Sequence, residues 1–450
     1  MPSFEGVLKE LEQWGSYENT ARPRDISRLE GISQLLQELG NPHHDLRVIH
    51  IAGTNGKGLT ALMLGTLILA EGDSCGIYSS PHLTDIRERI IINGKLILKK
   101  DFTQFASKAL DIANSFQGEP YLSYFDLLTS IALLAFQKTG MHWVILETGL
   151  GGKADSTNIT EKELCILTPI GMDHQEVLGD SIFQIASEKL GITRSGIPTV
   201  MSKQKESLKN WMRLKLRKSS VPFLEADTEI MMTKHGSGNL KEGSSDTWNL
   251  KWCDGTQLEI TGHPGFSLPW LESLRTAMTA YENLYPKAVT LRKDRLEILE
   301  SVRLPARLEL RKNVTWRGHH FNTLILDGGH NADALDALAF QLEEWRMREC
   351  TLILGMSRDK LDLELVPALK KVLHFSGFLI TCPFDSPRSA DAKELLGFLN
   401  SEMDPQELPI QETTDNIEEA LMRATKFSDK PLVIMGSFYL AGEVLLLLDR

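Results

Sequence analysis

The chain has 450 residues, of which 42% are hydrophobic and 24% are charged, and its formal net charge at pH 7 is −11. This length predicts two or three domains, and the composition excludes collagen-like, disordered and multi-span membrane proteins. The negative charge argues against a nucleic-acid or membrane-surface role that rests on bulk electrostatics. Any anion must therefore be held at a local site.

Cysteine usage and the N-terminus indicate a cytoplasmic protein. The cysteines are odd in number, far apart and without a C-x-x-C pair, which argues against a disulfide framework and a thiolate zinc site: Cys75, Cys165, Cys253, Cys350 and Cys382. Residues 1–12 carry several charges and do not read as a signal peptide. The longest apolar stretch, Leu62–Ala70, is too short to span a bilayer and predicts a buried helix.

From Arg47 onward, short apolar runs alternate with helical patterns. The runs are 48–51, 75–78, 143–146 and 164–167, and the predicted helices are 59–70, 102–116, 125–139 and 182–190. Strands that alternate with helices indicate βαβ units, because a parallel return needs a long crossover. We therefore predict a doubly wound α/β domain of the P-loop type over residues 1–302.

Residues 226–265 interrupt this pattern with glycine, serine and charged residues. Turn signals at 235–238 and 243–245, with short strands at 248–252 and 257–260, predict a β-hairpin on the surface. Helical patterns follow at 271–284 and 291–301. A second alternation, with apolar runs at 323–326, 351–354, 377–381 and 431–435, predicts a smaller, Rossmann-like α/β domain over residues 303–450.

A glycine-rich turn follows the first predicted strand. It reads Gly53-Thr54-Asn55-Gly56-Lys57-Gly58 and precedes a predicted helix. Such a turn lets backbone N–H groups face a phosphate at a helix N-terminus, and a lysine adds positive charge. The usual P-loop, G-x-x-x-x-G-K-[ST], is not met, because Ile51 and Gly58 stand at its first and last positions. We still favour phosphate binding over a turn with a solvated lysine.

Three polar residues follow other predicted strands. Ser80, Glu147 and His174 come after the runs at 75–78, 143–146 and 164–167, and ligands bind beyond the carboxyl ends of parallel strands. Each alone is an ordinary strand-end residue, but together they could form an oxygen-and-imidazole Mg²⁺ site. Lys189 lies on the helix predicted at 182–190 and by itself reads as a solvated surface lysine.

Taken together, these motifs resemble the folylpolyglutamate synthase/dihydrofolate synthase family of the Mur-ligase superfamily. The matching segments span most of the chain in the same order: 48–58, 78–83 with 88–90, 146–152 with 155–158, 172–174 with 178–179 and 188–189, 304–309, 327–331, 359–360 and 436–440. The resemblance implies an ATP-dependent ligase that adds L-glutamate to a folate carboxylate through an acyl phosphate. It implies small-molecule substrates and, we expect, a monomer without nucleic-acid or membrane partners.

The resemblance also implies a role for individual residues. The catalytic residues would be Lys57, Lys189, Asp327 and His330. ATP would contact the 53–58 loop (Gly53, Thr54, Asn55, Gly56, Lys57, Gly58) together with Ser273, Arg307 and Asp327. Two Mg²⁺ sites would draw on Ser80, Glu147, His174 and a carbamylated Lys189. Folate would contact His82, Phe125, Gly151 and Asp155, and glutamate would contact His330 and Ser437.

The sequence departs from the family pattern at several positions. Leu59 replaces a serine or threonine after G-K-G, and Ser273 replaces an asparagine expected at adenine. Leu190 replaces an alanine, Lys153-Ala154 replaces Arg-Leu, and the pteroate loop at 22–28 lacks its usual Leu-Gly-Leu element. The altered loop and the 151–158 stretch favour polyglutamylation over dihydropteroate ligation.

Two alternative functions stay open at this stage. Leu59 and Ser273 also suit a non-catalytic nucleotide-binding homologue. That hypothesis is weaker, because a binding-only protein has no need to keep both halves of the site. A Mur-type ligase with a different carboxylate substrate would keep the chemistry and change only the substrate.

Overall fold

The computed structural model describes residues 2–14, 29–116, 121–235, 247–261 and 266–448. The pteroate loop predicted at 22–28 and most of the two turn signals near 236–245 lie outside these residues. Among the described residues, no helix is long and apolar enough to cross a membrane.

The chain forms two compact units. One comprises residues 1–232, 250–258 and 272–302, and the other comprises 233–249, 259–271 and 303–450. The sequence-based division at 302/303 treats each domain as a continuous stretch. Among the described residues, 233–235, 247–249, 259–261 and 266–271 group with the second unit.

The first unit is built on one large sheet. Its strands are β1 (Val48–Ala52), β2 (Cys75–Tyr78), β3 (Ile90–Ile92), β4 (Lys95–Leu96), β5 (Trp143–Glu147), β6 (Leu164–Leu167), β7 (Thr199–Met201) and β8 (Phe223–Glu225). Their order is β4-β3-β2-β5-β1-β6-β7-β8. The pairs from β2 to β8 are parallel. Strands β3 and β4 extend the edge in antiparallel pairing, which the sequence patterns did not predict.

The helices of this unit connect the strands in the manner of βαβ crossovers. They are α1 (Phe4–Glu12), α2 (Leu29–Glu38), α3 (Lys57–Ala70), α4 (Lys99–Ser115), α5 (Tyr124–Thr139), α6 (Gln175–Leu178), α7 (Ile182–Leu190), α8 (Glu206–Lys218) and α9 (Ala226–Glu229). Capping boxes start α5 at Ser123 and α7 at Ser181, which satisfies N–H groups that a helix start leaves open. The buried helix predicted at 62–70 is confirmed as part of α3.

A small sheet follows, with strands β9 (Ile230–His235), β10 (Thr247–Trp252) and β11 (Gln257–Thr261) in the order β11-β10-β9. A surface hairpin was predicted here. The structure has a third strand, and this sheet buries Leu250, Trp252 and Ile260 to 1% exposure or less. The apolar residues are spaced by two along β10, which is the period of a strand with one covered face. Helices α10 (Leu268–Leu284) and α11 (Arg292–Leu299) come next.

The second unit has its own sheet. Its strands are β12 (Glu309–Trp316), β13 (His319–Asp327), β14 (Cys350–Leu354), β15 (Ser376–Thr381), β16 (Ile410–Thr413) and β17 (Leu432–Met435), in the order β12-β13-β17-β14-β15-β16. Its helices are α12 (Ala332–Glu344), α13 (Val366–Leu373), α14 (Ala392–Glu402), α15 (Ile417–Ala424) and α16 (Phe438–Leu448). Only the β12–β13 pair is antiparallel among the pairs of this sheet in the described residues. The predicted α/β fold class is thereby confirmed for both units.

Candidate active site

The glycine-rich turn lies between β1 and α3. Gly56 has a φ of 83°, a left-handed conformation that favours glycine. A Cβ on Gly53 would come within 1.8 Å of Thr168 Oγ1, so a side chain has no room there. The N–H groups of Thr54 and Asn55 donate to the Pro169 carbonyl at 2.9 and 3.2 Å. These two N–H groups therefore anchor the loop, and a phosphate is left with the N–H groups at the start of α3.

Lys57 and Glu147 form a partly buried ion pair beside this loop. The register of the sheet places Glu147 opposite Ile51, at the carboxyl ends of two neighbouring strands. Lys57 Nζ lies 3.7 Å from Glu147 Oε1, and their side chains are 16% and 4% exposed. Lys57 Nζ also donates to the Thr54 carbonyl at 3.3 Å. A positive charge is thus held close to the loop backbone.

Ser80 lies next to the same carboxylate. It follows β2, and its backbone N–H donates to Glu147 Oε2 at 3.4 Å. The third predicted metal ligand, His174, starts α6 with a left-handed φ of 51°. His174 Nε2 lies 3.8 Å from Asp173 Oδ2. Close contacts therefore join Ser80, Glu147 and Lys57, and His174 lies beside Asp173.

Lys189 is buried, although its sequence position alone suggested a solvated lysine. Its side chain crosses to the glycine-rich turn, where Nζ donates to the Gly53 carbonyl at 2.8 Å. The residue is 5% exposed. Burial, followed by the positive charge of Lys57, lowers the pKa of Lys189 to about 7, against the opposing effect of Asp173. An amine with this pKa is partly neutral at physiological pH and can act as a nucleophile.

Of the four predicted folate contacts, His82 is next to Arg89 and Phe125 is next to Tyr78, the last residue of β2. Arg89 Nε donates to His82 Nδ1 at 2.8 Å, and the Phe125 ring lies 5.8 Å from the ring of Tyr78. Phe125 also covers Gly149, where a Cβ would come within 2.5 Å of the ring. An aromatic face and a buried arginine suit a flat substrate that carries carboxylates.

Gly151 and Asp155 belong to the loop that follows β5. Gly151 has a φ of 75°. Asp155 is fully buried, and its carboxylate accepts hydrogen bonds from the N–H groups of Leu150 and Thr157 and from the Thr157 hydroxyl. These contacts give Asp155 a part in shaping the loop.

Ser273 and Thr60 are two further buried residues of the first unit. Ser273 is 3% exposed, and a Cβ on Gly56 would lie 3.3 Å from its Oγ, so Ser273 lies beside the glycine-rich turn. Thr60 is 1% exposed, while Leu59 is half-buried. The Thr60 hydroxyl therefore points into the core and does not replace the hydroxyl missing at Leu59.

The predicted residues of the second unit gather around Phe438. Asp327 ends β13, and its carboxylate accepts from the N–H groups of Leu308 at 2.7 Å and Gly329 at 2.9 Å. Burial raises the pKa of Asp327 above its usual value. The Arg307 guanidinium lies 3.7 Å from the centre of the Phe438 ring, a cation–π contact.

His330 meets the same ring edge-on, with ring centres 5.6 Å apart. Its Nδ1 lies 3.0 Å from the Gly328 carbonyl, and a carbonyl only accepts, so Nδ1 carries the proton. The Ser437 Oγ accepts from the Tyr439 N–H at 3.1 Å at the start of α16. The structure thus brings Arg307, His330 and Ser437 together around Phe438.

Comparison with known proteins shows which proteins this chain resembles. A family model described as "Dihydrofolate synthetase, C-terminal domain" matches residues 312–447. The dihydrofolate synthase/folylpolyglutamate synthase of Bacillus subtilis is 27% identical over 92% of this chain and 93% of its own length. The solved structure of Mycobacterium tuberculosis folylpolyglutamate synthase complexed with ADP is 26% identical, with a TM-score of 0.84 over 99% of this chain and 98% of that chain. The chain is thus similar over most of its length to folylpolyglutamate synthases and dihydrofolate synthases.

A further relative is longer than this chain. The probable bifunctional folylpolyglutamate synthase/dihydropteroate synthase of Haloferax volcanii is 28% identical over 92% of this chain, which spans 47% of that protein. The family resemblance inferred from the motifs is thereby confirmed, while the roles of individual residues stay predictions.

Two residues beside the predicted contacts were not singled out as site residues in the sequence. Arg89 is 2% exposed and contacts His82, although the Glu88-Arg89-Ile90 motif was used only for the resemblance. Phe438 contacts both Arg307 and His330, and it directly follows Ser437. For both residues, the only indication in the sequence was their position within or next to a motif. Neither an arginine nor a phenylalanine by itself indicates a functional site.

Proposed function

We propose that this chain is an ATP-dependent carboxylate–amine ligase that joins L-glutamate to the carboxylate of a folate. The observation that carries the proposal is the cluster of Lys57, Glu147, Ser80 and Lys189 around the glycine-rich turn, in a fold whose relatives are named folylpolyglutamate and dihydrofolate synthases. A relative's structure complexed with ADP supports nucleotide binding.

The chemistry requires activation of a carboxylate. A folate carboxylate oxygen attacks the γ-phosphorus of ATP, and ADP leaves, giving an acyl phosphate. The amine of glutamate then attacks the acyl carbon, loses its proton, and phosphate leaves as the amide forms. The protein's task in both steps is positioning and charge neutralisation. Lys57 and the N–H groups at the start of α3 would stabilise negative charge on the phosphates.

The residues around Glu147 suit a magnesium ion. A buried carboxylate with a serine beside it offers the hard oxygen ligands that Mg²⁺ prefers, and Ser80 and Glu147 would hold it with His174. Among the described residues no cluster of three His, Cys, Asp or Glu side chains is suited to a metal ion, so phosphate oxygens would complete the coordination. When bound, Mg²⁺ supplies charge neutralisation at the transferring phosphoryl group.

Lys189 suits the modification that the family resemblance implies. Carbon dioxide reacts with a neutral amine, and the lowered pKa of Lys189 makes that form available near pH 7. The resulting carbamate is an anion that could support a second Mg²⁺. In the second unit, Arg307 and Asp327 would contact ATP, while His330 and Ser437 would contact glutamate.

An assay of substrates tests the proposal. Purified protein is given ATP, Mg²⁺, L-glutamate and either dihydropteroate or tetrahydrofolate. We expect ADP release and a product one glutamate heavier by mass spectrometry. The substrate that turns over decides between dihydropteroate ligation and the polyglutamylation that the sequence favours. If neither folate yields ADP, the proposal is wrong.

Leu59 and Ser273 favour a second candidate, a nucleotide-binding homologue without turnover. Tight ATP binding by calorimetry, with no folate-dependent ADP release, would support it. For a ligase with another carboxylate substrate, the mass of the small molecule that copurifies with the protein identifies that substrate. The cytoplasmic location and the monomeric state stay predictions from sequence.

A further inference from the structure

A chain of hydrogen bonds runs from β1 to the loop after β5. His50 Nε2 lies 2.7 Å from Thr157 Oγ1, and Thr157 Oγ1 donates to Asp155 Oδ1 at 2.6 Å. Asp155 Oδ2 in turn accepts from the Leu150 N–H at 2.9 Å. His50, Thr157 and Asp155 are each 0% exposed. Three buried side chains thus connect the strand that leads to the glycine-rich turn with a different loop.

The chemistry of Thr157 fixes the direction of this chain. A hydroxyl has one proton, and a carboxylate can only accept, so Thr157 gives its proton to Asp155. The Thr157 oxygen must then accept from His50, which places the imidazole proton on Nε2. His50 Nδ1 is consequently a bare acceptor, and it is buried without a hydrogen-bond partner among the described residues.

The surroundings of His50 disfavour its protonated form. A second proton on Nδ1 would be a buried donor with no acceptor, which is costly. Burial, followed by the positive charges of Lys162 and Arg194, holds the pKa of His50 well below its usual value of 6.5. Lys162 is itself 6% exposed and donates to the Thr160 carbonyl at 2.7 Å. His50 therefore stays neutral and keeps one tautomer.

The backbone of His50 is fixed independently of its side chain. In the sheet it pairs with Leu146 on one side and Cys165 on the other. The glycine-rich turn is also anchored separately, through the Pro169 carbonyl and the Lys189–Gly53 hydrogen bond. Removing the imidazole should therefore disturb the loop that Asp155 holds more than the turn that follows β1.

We propose that His50 is a positioning residue for the loop of residues 148–155, acting as the Nε2–H tautomer through Thr157 and Asp155. The inference rests on the proposed function, in which Gly151 and Asp155 lie on the folate side of the site. Although His50 precedes the phosphate-binding turn by only three residues, its substitution is expected to weaken folate binding and to spare ATP binding.

Two pairs of variants test this kinetic split. His50→Gln can place an amide N–H near the position of Nε2, whereas the shorter His50→Asn cannot; Thr157→Ser keeps the hydroxyl, whereas Thr157→Val removes it. For His50→Asn and Thr157→Val we expect the KM of the folate substrate to rise about tenfold, the factor for one lost buried hydrogen bond. The KM of ATP should stay within about twofold, and the Gln and Ser variants should recover most of the loss.

Thr199→Val is the matched control. Thr199 is also a fully buried threonine of the same sheet, and its hydroxyl has no partner among the described residues. The Thr199→Val substitution should leave the KM of the folate substrate and the KM of ATP unchanged. A rise in the KM of ATP instead of folate in the His50 and Thr157 variants would overturn the proposal. If the His50 variants do not fold, the Thr157 pair still gives this comparison.

Two measurements are independent of the enzymatic activity. Long-range ¹H–¹⁵N NMR of the wild-type protein should show His50 with a proton on Nε2 only, unchanged across the pH range around 6.5 in which histidine usually titrates. The unfolding free energies of His50→Asn, Thr157→Val and the double variant should be non-additive, since both changes break the same link. A titrating imidazole, an Nδ1–H tautomer or additive effects would each refute the proposal, whereas wild-type protein without ligase activity refutes only the proposed function.

Discussion

The Lys189 ammonium donates a hydrogen bond to the Gly53 carbonyl at 2.8 Å, across 136 residues of sequence. One buried amine therefore touches the first residue of the glycine-rich turn and lies close enough to Lys57 for the two charges to repel. This contact makes Lys189 part of the phosphate-binding region. It also explains why burial and the positive charge of Lys57 both lower the pKa of Lys189.

Replacing Lys189 tests its proposed modification. We expect Lys189→Ala to lower kcat about a hundredfold or more, the loss typical of removing one electrostatic group that stabilises a transition state. Added acetate or formate should restore part of the activity, because a small carboxylate can stand in for a carbamate. The measurement is ADP release with and without the carboxylate. Normal turnover by Lys189→Ala would contradict the carbamate role.

The lowered pKa of Lys189 also predicts how stability varies with pH. Its pKa is about 7 in the folded protein against an ordinary 10.5, so between these values the unfolded chain binds more protons and wild-type stability rises with pH. Lys189→Met removes the cost of burying the charge. We expect its stability gain over the wild type to be largest below about pH 7 and to decline towards pH 10.5. Urea unfolding in CO₂-free buffer measures the unfolding free energy of both proteins at each pH. A stability gain of Lys189→Met that grows with pH would contradict the prediction.

Glu147→Gln tests the metal site. The substitution keeps the shape of a buried side chain and removes the charge beside Lys57, so we expect kcat/KM to fall about a hundredfold and the Mg²⁺ requirement to rise. Glu163→Gln is the control, because Glu163 precedes β6 at the opposite end of the sheet and its side chain is 49% exposed. Equal losses in the two variants would argue against a specific role for Glu147.

Phe438→Leu tests the arrangement of the second unit. Leucine loses the ring face on which Arg307 lies, a contact worth about 1 kcal/mol. We expect the KM values for ATP and glutamate to rise together, by about threefold to tenfold, while the folate KM is unchanged. Phe438→Tyr keeps the ring and should behave like the wild type. The measurement is steady-state kinetics with each substrate varied in turn. If only one of the two KM values rises, Phe438 does not support both the ATP and the glutamate contacts.

Gly328→Ala tests the close approach of backbone and ring behind that arrangement. A Cβ on Gly328 would lie 2.1 Å from the Phe438 ring, so we expect a loss of about 1–3 kcal/mol in unfolding free energy. Gly397→Ala is the control, because Gly397 lies inside α14 with nothing within 4 Å of an added Cβ. It should stabilise the protein by about 0.5–1 kcal/mol. Chemical denaturation of both variants gives the comparison, and equal effects would contradict the packing argument.

The strands at the centres of the sheets were predictable because they are buried on both faces. Runs such as 164–167 are continuously apolar and end at polar residues, which is typical of parallel strands. The edge strands β3, β4 and β12 were missed because they are short or alternate with exposed residues. In β4, for example, both Lys95 and Leu96 are exposed.

The candidate site was predictable only up to the strand ends. The rule that ligands bind beyond the carboxyl ends of parallel strands selected Ser80, Glu147 and His174. No local sequence pattern indicates that Lys189 contacts Gly53 or that His50 contacts Thr157. Both contacts depend on tertiary register between residues more than 100 positions apart. Phe438 was missed for a related reason, since its effect depends on the neighbours that it packs against.

The pairing of β1 has a consequence for how the chain folds as it is synthesised. Both neighbours of β1, namely β5 and β6, lie roughly 100 residues downstream, with Val48 opposite Val144 and Ile49 opposite Leu164. Such long-range pairing makes folding slow, because a large loop must close before any contact forms. The glycine-rich turn cannot take its final shape until residue 169, whose carbonyl holds it, has left the ribosome. Nascent chains shorter than this should therefore be unable to bind nucleotide.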